Sequence, residues 1–226
     1  MANRSAAQGQ SPVRARGRLR KAATQTYKPA KLNPEDPMAD LAAARLNMVE
    51  SQVRTQDVTD VRIQDAMRVI PRETFMPEGK TYLAYADLEA EYAPGRWLLK
   101  PRDVSKLIQA LKPMPGERCL AIAAPYAAAV IEGMGISVER LDGPDLTAVS
   151  QSAYDLIVVE GAVARAPGAW LAGLAAGGRL GVVERDGPVG QAVLYLRAED
   201  EIGRRDLFDA FPPLLAGFEP QRGFAL

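Results

Sequence analysis

A strand, a tight turn and a helix follow one another in residues 118–130, and this unit constrains the fold more than any other stretch of the chain. Residues 118–122 are mostly apolar, as in a buried strand, and the turn reads Ala123-Ala124-Pro125. A strand followed closely by a helix is the repeating unit of an α/β domain. Turns of this kind that hold a dinucleotide-like ligand normally contain glycines, and this turn contains none. The sequence therefore predicts an α/β domain in which side chains fill the usual ligand space.

The alternation of strands and helices continues beyond this unit. Apolar runs predict strands at 137–141, 154–159 and 179–184, and helices near 126–133 and 167–175. Residues 191–208 suggest a closing antiparallel pair of strands joined near residues 200–203. We therefore predict a doubly wound, mostly parallel, Rossmann-like sheet with antiparallel strands at its C-terminal end.

Helices are also predicted before the first strand, as a helical N-terminal preface. Residues 37–53 carry an imperfect apolar face, and residues 60–70 place apolar side chains at i, i+3, i+4 and i+7. A third helix begins at Pro101, where the missing N–H of proline costs nothing. The segment between the second and third helices, residues 72–100, reads as a loop rich in tyrosine, proline and acids.

Charge divides the chain into two parts. Eight of the 28 basic residues lie in residues 1–34, which contain no acid, so the remainder has 20 basic against 28 acidic side chains. We predict a basic, disordered arm over residues 1–37 and a single domain over residues 38–226. Nucleic acid is a possible partner only through the arm. The arm could also be a transit-like segment, but its composition favours a solvated tail or an extension upstream of a start at Met38.

Composition excludes several classes of chemistry. The chain has no histidine, which removes Ser-His-Asp and Cys-His catalysis and histidine metal sites. Its single cysteine, Cys119, lies in an apolar run and is interpreted as a core residue. No metal cluster is predicted. No apolar run is long enough for a membrane span, and we expect a protein of the cytoplasm without a membrane partner.

Several motifs resemble the protein-L-isoaspartate O-methyltransferase family. They lie at Met48–Gln52, Asp60–Met67, Val69–Pro77, Ala84–Asp87, Tyr154–Val159 and Gly177–Leu180. The resemblance covers about residues 41–215, and its N-terminal motif is fairly specific to the family. It implies a Rossmann-like methyltransferase that uses S-adenosylmethionine to methylate L-isoaspartyl residues, as a step in protein repair.

The residues that carry this activity in the family are replaced here. In the family, the sequence before the third helix is Gly-Gln-Thr-Ile-Ser-Gln-Pro, and the hydroxyl of its serine lies at the substrate carboxylate. The residue at the serine position of this chain is Leu99. No catalytic residue is therefore predicted. The acid and glycine-rich positions of the family's cofactor loop hold Ala121, Ala123, Ala124 and Pro125. From this degenerate loop we predict that no cofactor is bound.

The acid that accepts the ribose hydroxyls in the family corresponds here to Asp142 or to Glu139, although a solvated strand end is the commoner role of such a residue. Only eleven residues separate Asp142 from Tyr154. Fully extended, they span at most about 36–40 Å, too little for the helix, strand and adenine-binding loop of the family. The sheet should therefore be shortened by one βα unit.

Three functions follow from these observations. The first is a catalytically silent relative that acts as a binding or scaffold protein for an unknown protein partner, with a homodimer through the exposed sheet edge as one form. Trp97 would anchor the partner or fill the emptied pocket. The alternative is an active methyltransferase, since carboxylate methylation needs alignment more than acid–base help. The third is nucleic-acid contact through the basic arm.

Overall fold

The computed structural model describes residues 37–151, 153–199 and 201–220. The predicted basic arm lies outside these residues, apart from Pro37. The boundary between arm and domain and the arm's nucleic-acid role therefore stay predictions. Among the helices that the structure describes, none has the length and apolar character that crossing a membrane requires.

Helices precede the main sheet, as predicted. They are α1 (Pro37–Met48), continued by a π-helical turn (Val49–Val53) and a 3₁₀ turn (Arg54–Gln56), then α2 (Val61–Val69) and α3 (Pro101–Leu111). The Asp60 carboxylate begins α2 by accepting a hydrogen bond from the backbone N–H of Arg62, at 3.0 Å. Helix α3 ends where Lys112 adopts a left-handed conformation, with φ of 48°.

The segment predicted as a loop contains more structure than its sequence indicates. It holds two 3₁₀ turns (Arg72–Phe75 and Thr81–Leu83) and a hairpin of β1 (Ala90–Ala93) and β2 (Arg96–Leu98). Gly95 turns the hairpin at φ of +66°. A Cβ there would lie 2.8 Å from the Cβ of Ala216. Strands of four and three residues are too short to show an alternation of apolar and polar side chains in the sequence. The hairpin therefore becomes visible only in the structure, where its turn packs against Ala216.

Six strands form the main sheet within the described residues. They are β3 (Arg118–Ile122), β4 (Ser137–Leu141), β5 (Tyr154–Val163), β6 (Leu174–Arg185), β7 (Gly190–Ala198) and β8 (Glu201–Asp209), with α4 (Pro125–Gly133) and α5 (Gly168–Gly173) between them. The order is β4-β3-β5-β6-β7-β8. The pairings among β4, β3, β5 and β6 are parallel, whereas β7 pairs antiparallel with both β6 and β8. The predicted doubly wound, mostly parallel sheet is confirmed.

Strand β4 forms one edge of this sheet. The described residues between β4 and β5 contain no further strand or helix, in agreement with the expected loss of one βα unit. Three of the five residues of β4 are exposed. Pairing of this edge with a second copy of the chain is not tested by these features and stays a prediction.

Alternate residues of the central strands face opposite sides of the sheet, which divides the core into two layers. On one side, Ala121 and Val158 pack among side chains from α1 to α4. On the other side, Ile122 and Val159 pack with Trp170 of α5. The next residue of β5 after Val159 is Glu160, which returns to the side that holds the longer helices.

Candidate ligand site at the carboxyl edge of the sheet

The carboxyl ends of β3 and β5 mark the expected place for a ligand. The chain leaves β3 toward β4 on one side and returns to β5 on the other, so the strand order reverses here. Ligands of doubly wound sheets bind outside the carboxyl ends of the strands at such a switch point. The pairing of Ile122 with Val159 sets the loop after β3 beside Glu160.

The loop after β3 is closed over. Ala123 adopts a left-handed conformation, with φ of 47°, in a position that glycine would occupy without strain. Its N–H donates to the carbonyl of Leu141 at 2.9 Å. Ala123, Ala124 and Tyr126 are each 3% exposed or less. The structure thus agrees with side chains filling this turn, and Pro125 begins α4 with no N–H to offer.

Glu160 occupies the N-terminus of α4. Its Oε2 accepts the N–H groups of Tyr126 at 3.2 Å and Ala127 at 3.1 Å, and its Oε1 accepts the N–H of Leu99 at 3.2 Å. The side chain is fully buried. The first N–H groups of a helix have no partner within the helix and favour an anion. Here that anion is the chain's own carboxylate.

Arg72 contacts the same residue, Leu99, whose backbone N–H donates to the Glu160 carboxylate. Its Nη2 donates to the carbonyl of Leu99 at 2.7 Å, and its guanidinium carbon is 4.6 Å from the centre of the Tyr126 ring. Nε and Nη1 of Arg72 and the hydroxyl of Tyr126 have no hydrogen-bond partner among the described residues. The cluster therefore holds more buried donors than Glu160 satisfies.

Burial sets the ionisation of this cluster. It raises the pKa of Glu160 to about 7, against the opposing effects of Arg72 and of the three backbone N–H groups. Burial likewise lowers the pKa of Arg72, while Tyr126 and Glu160 oppose that change. The site thus contains a carboxyl group poised to change its charge near neutral pH.

The family serine position is part of the same cluster. The side chain of Leu99 is buried, and both main-chain polar groups of this residue are engaged, by Glu160 and by Arg72. A leucine side chain offers no hydroxyl to a substrate carboxylate. The prediction that no catalytic residue stands at this position stays a prediction.

Asp142 lies at the end of β4 and is exposed. Its Oδ1 accepts the hydroxyl of Tyr92 at 2.9 Å, and Arg96 donates to the carbonyl of the next residue, Gly143, at 2.9 Å. Burial raises the pKa of Tyr92, and the charges of Asp142 and Glu160 add to the rise. A cavity of about 300 Å³ borders this tyrosine, lined also by Pro77, Lys80, Glu91, Ala93 and Pro94. Contact of Asp142 with a ribose stays a prediction.

Glu160 is the site residue that the sequence reasoning missed. The available signal was a carboxylate placed directly after the apolar run of β5, and therefore at the carboxyl end of a buried strand.

Trp97 differs from its prediction as an exposed anchor or a filler of the pocket. It is half-buried in the hairpin and fits neither description fully. The described residues contain no group of three or more histidine, cysteine or acidic side chains placed to hold a metal ion.

S-adenosylmethionine, which the family resemblance implies, carries a carboxylate and two ribose hydroxyls. Asp142 offers an acceptor for hydroxyls, and the N–H groups of Tyr126 and Ala127 are suitable donors for a carboxylate. Glu160 engages both of these donors in the present conformation, beneath a buried loop. The residues therefore do not fit this cofactor as they stand.

Solved structures share the fold. A protein-L-isoaspartate O-methyltransferase aligns with a TM-score of 0.63 and 20% identity, over 77% of this chain and 67% of that chain. A chain described as a beta-aspartate methyltransferase from Plasmodium falciparum, in complex with S-adenosyl-L-homocysteine, aligns with a TM-score of 0.61 and 15% identity. That alignment covers 76% of this chain and 97% of the other.

Sequence relatives carry the same family name. Protein-L-isoaspartate O-methyltransferase from Methylorubrum extorquens (strain PA1) is 34% identical over 212 residues, which cover 80% of this chain and 92% of the relative. The enzyme of that name from Methylorubrum populi is 32% identical over 205 residues, 77% of this chain and 96% of the relative. No model of a protein family matches the chain.

These relatives correct one expectation from the sequence. The prediction that no cofactor is involved is wrong, because the relatives are named as methyltransferases and one neighbour is in complex with S-adenosyl-L-homocysteine. The loop does lack the glycines of the family, but this lack was not enough to predict the absence of a cofactor. The residues concerned are Ala121, Ala123, Ala124 and Pro125. The chain belongs to the protein-L-isoaspartate O-methyltransferase family.

Proposed function

We propose that this protein is an S-adenosylmethionine-dependent methyltransferase that acts on L-isoaspartyl residues of damaged proteins. The observation that carries the proposal is the extent of the likeness to the Methylorubrum extorquens relative, 34% identity over 92% of that protein. A match of this length includes the N-terminal helices as well as the sheet. The expected cytoplasmic location goes with this proposal.

The chemistry of the proposed reaction suits a chain without histidine. An ionised carboxylate is already a nucleophile, so methylation depends on alignment and on exclusion of water more than on proton transfer. The carboxyl edge of the sheet supplies a dry region, since Leu99, Ala124 and Tyr126 are all nearly inaccessible to water. Opening of this region to admit ligands is a requirement of the proposal.

A second candidate function is binding of a protein partner without methyl transfer. The specific observation in its favour is the buried leucine at position 99, which leaves no hydroxyl for a substrate carboxylate. The exposed edge of β4 and the hairpin of β1 and β2 are the surfaces that such a partner would contact. A second copy of the chain is one candidate for that partner.

Two measurements on the full chain separate these candidates. The first is transfer of a labelled methyl group from S-adenosylmethionine to a peptide with one L-isoaspartyl residue, against the matched peptide with L-aspartate. The second is binding of S-adenosyl-L-homocysteine by calorimetry. Transfer to the isoaspartyl peptide alone is the expected result. Ligand binding without any transfer would reject the proposal and favour the second candidate.

A further inference from the structure

Helix α4 presents a small binding site for a carboxylate, and the chain fills it itself. The helix is nine residues long. The N–H groups of Tyr126 and Ala127 converge on a single oxygen of Glu160, at 3.2 and 3.1 Å. Two N–H groups at the positive end of a helix select a carboxylate or a similar anion.

An independent feature of this site is a set of buried polar atoms without hydrogen-bond partners among the described residues. Arg72 is 1% exposed, and two of its nitrogens, Nε and Nη1, are without a partner among the described residues. The hydroxyl of Tyr126, whose ring lies against the same guanidinium, also has no hydrogen-bond partner among the described residues. Buried donors are normally satisfied, so a surplus of them around one carboxylate indicates a ligand or water that belongs there.

A second buried glutamate shows what a purely structural role looks like. Glu184 lies near the carboxyl end of β6 and accepts the N–H of Ala166 at 2.9 Å. It is also satisfied by side chains, with Tyr195 at 2.7 Å and Arg165 at 3.1 Å. Glu160 accepts only backbone N–H groups within the described residues. The two residues therefore form a natural pair of test and control.

We propose that Glu160 occupies a carboxylate-binding subsite at the N-terminus of α4, and that the carboxylate of an amino-acid-like ligand enters by displacing the Glu160 side chain. We choose S-adenosyl-L-homocysteine as the ligand for testing this subsite, and that choice rests on the proposed function. The subsite itself rests on the donors of α4 and Arg72.

The displacement involves the side chain of Glu160 and leaves the strand in place. The next residue, Gly161, has φ of +102°, and a Cβ there would lie 2.7 Å from the side chain of Leu215. Hydrogen bonds hold this stretch to the C-terminal segment, with the N–H of Leu215 donating to the carbonyl of Ala162 at 2.7 Å. The backbone at the end of β5 is thus fixed by these contacts, so the carboxylate of Glu160 can leave the helix only by rotation of its side chain.

Protonation favours the displacement. Burial raises the pKa of Glu160 to about 7, while Arg72 and the backbone N–H groups oppose the rise. The ionisable groups that face it are Arg72, Tyr126 of α4 and Tyr92 of β1. The pKa of both tyrosines is raised by burial, so they stay neutral near pH 7. Below pH 7 the neutral glutamic acid holds the N–H groups less strongly, and ligand affinity should rise.

The test is calorimetric binding of S-adenosyl-L-homocysteine to the full chain and to Glu160→Gln, with Glu184→Gln as the matched control. At pH 8 we expect Glu160→Gln to bind about tenfold to hundredfold more tightly than the wild type, the value of one hydrogen bond to a charged group. Glu184→Gln should stay within about twofold of the wild type. Affinity of the wild type should rise between pH 8.5 and pH 6, and that of Glu160→Gln should not.

Equal affinity of Glu160→Gln and the wild type would overturn the inference and leave the proposed function standing. Binding by Glu160→Gln alone would support the inference and count against the proposed function of the wild type. An absence of binding in all three proteins would overturn both.

A second measurement covers the case in which a variant does not fold. In ¹⁵N spectra of the wild type, the amide signals of Tyr126 and Ala127 should titrate near pH 7 without ligand. They should also shift when S-adenosyl-L-homocysteine is added. Amide signals that ignore both the pH and the ligand would overturn the inference.

Discussion

Glu160 should make this protein less stable at pH 8 than at pH 5, and Glu160→Gln should remove that loss. Burial raises the pKa of the folded-state carboxyl from 4.5 to about 7. Between these values the folded protein keeps a proton that the unfolded chain has released. The free energy of unfolding therefore falls as the pH rises through this window, and it stays low above the window.

The size of the effect follows from the same two values. Each unit of pKa difference corresponds to about 1.4 kcal/mol, so a shift from 4.5 to about 7 makes the loss on the order of 3 kcal/mol. Wild type and Glu160→Gln should be similar in stability only below pH 4.5, where the wild-type carboxyl is largely neutral in the folded and the unfolded protein alike. At pH 8 the variant should be the more stable protein by roughly that amount.

Urea unfolding from about pH 3 to pH 8.5 measures this difference directly, and it includes the acidic range in which the Glu184 control changes. Other titrating groups contribute equally to both proteins and cancel in the comparison. Glu184→Gln supplies a control of opposite sign. Burial works against ionisation of Glu184, but Ala166, Tyr195 and Arg165 together hold its pKa below its usual range. Its stabilisation is therefore present above pH 4.5 and is lost in more acidic solution. Parallel pH profiles for the wild type and Glu160→Gln would refute the argument from burial.

Three further variants test the surroundings of the site. Leu99→Ser should lower the free energy of unfolding by about 2–5 kcal/mol, because a buried leucine side chain is lost and a hydroxyl enters its place; unchanged urea unfolding would contradict this. Gly95→Ala should destabilise the protein more than Gly79→Ala does. Both glycines have positive φ, but only at Gly95 would the added Cβ meet a neighbouring side chain, and equal melting temperatures of the two variants would contradict this. Asp142→Asn should weaken binding of S-adenosyl-L-homocysteine severalfold if this acid accepts ribose hydroxyls, and unchanged calorimetric affinity would remove Asp142 from the site.

Much of the fold could be predicted from local pattern. Apolar runs and turn residues indicated the strands from residue 118 onward, and Pro101 gave the start of α3. The structure differs at β6, which begins at Leu174, within the stretch predicted as a helix over 167–175. The eleven residues between Asp142 and Tyr154 were enough to predict the missing βα unit, because chain length limits what a segment can build. The hairpin before α3 could not be found in this way, since its strands are short and its turn is fitted to Ala216.

The sequence by itself determined the class of the fold, the absence of histidine chemistry and the loss of the glycine-rich loop. Only the tertiary structure decided what replaced that loop. Glu160 follows the Ala123 loop by more than thirty residues, and the parallel register of β3 and β5 brings the two together. A carboxylate becomes a partner for α4 only when the sheet has formed and burial has removed the competing water. Local sequence records the type of side chain, whereas its environment and therefore its charge depend on long-range packing.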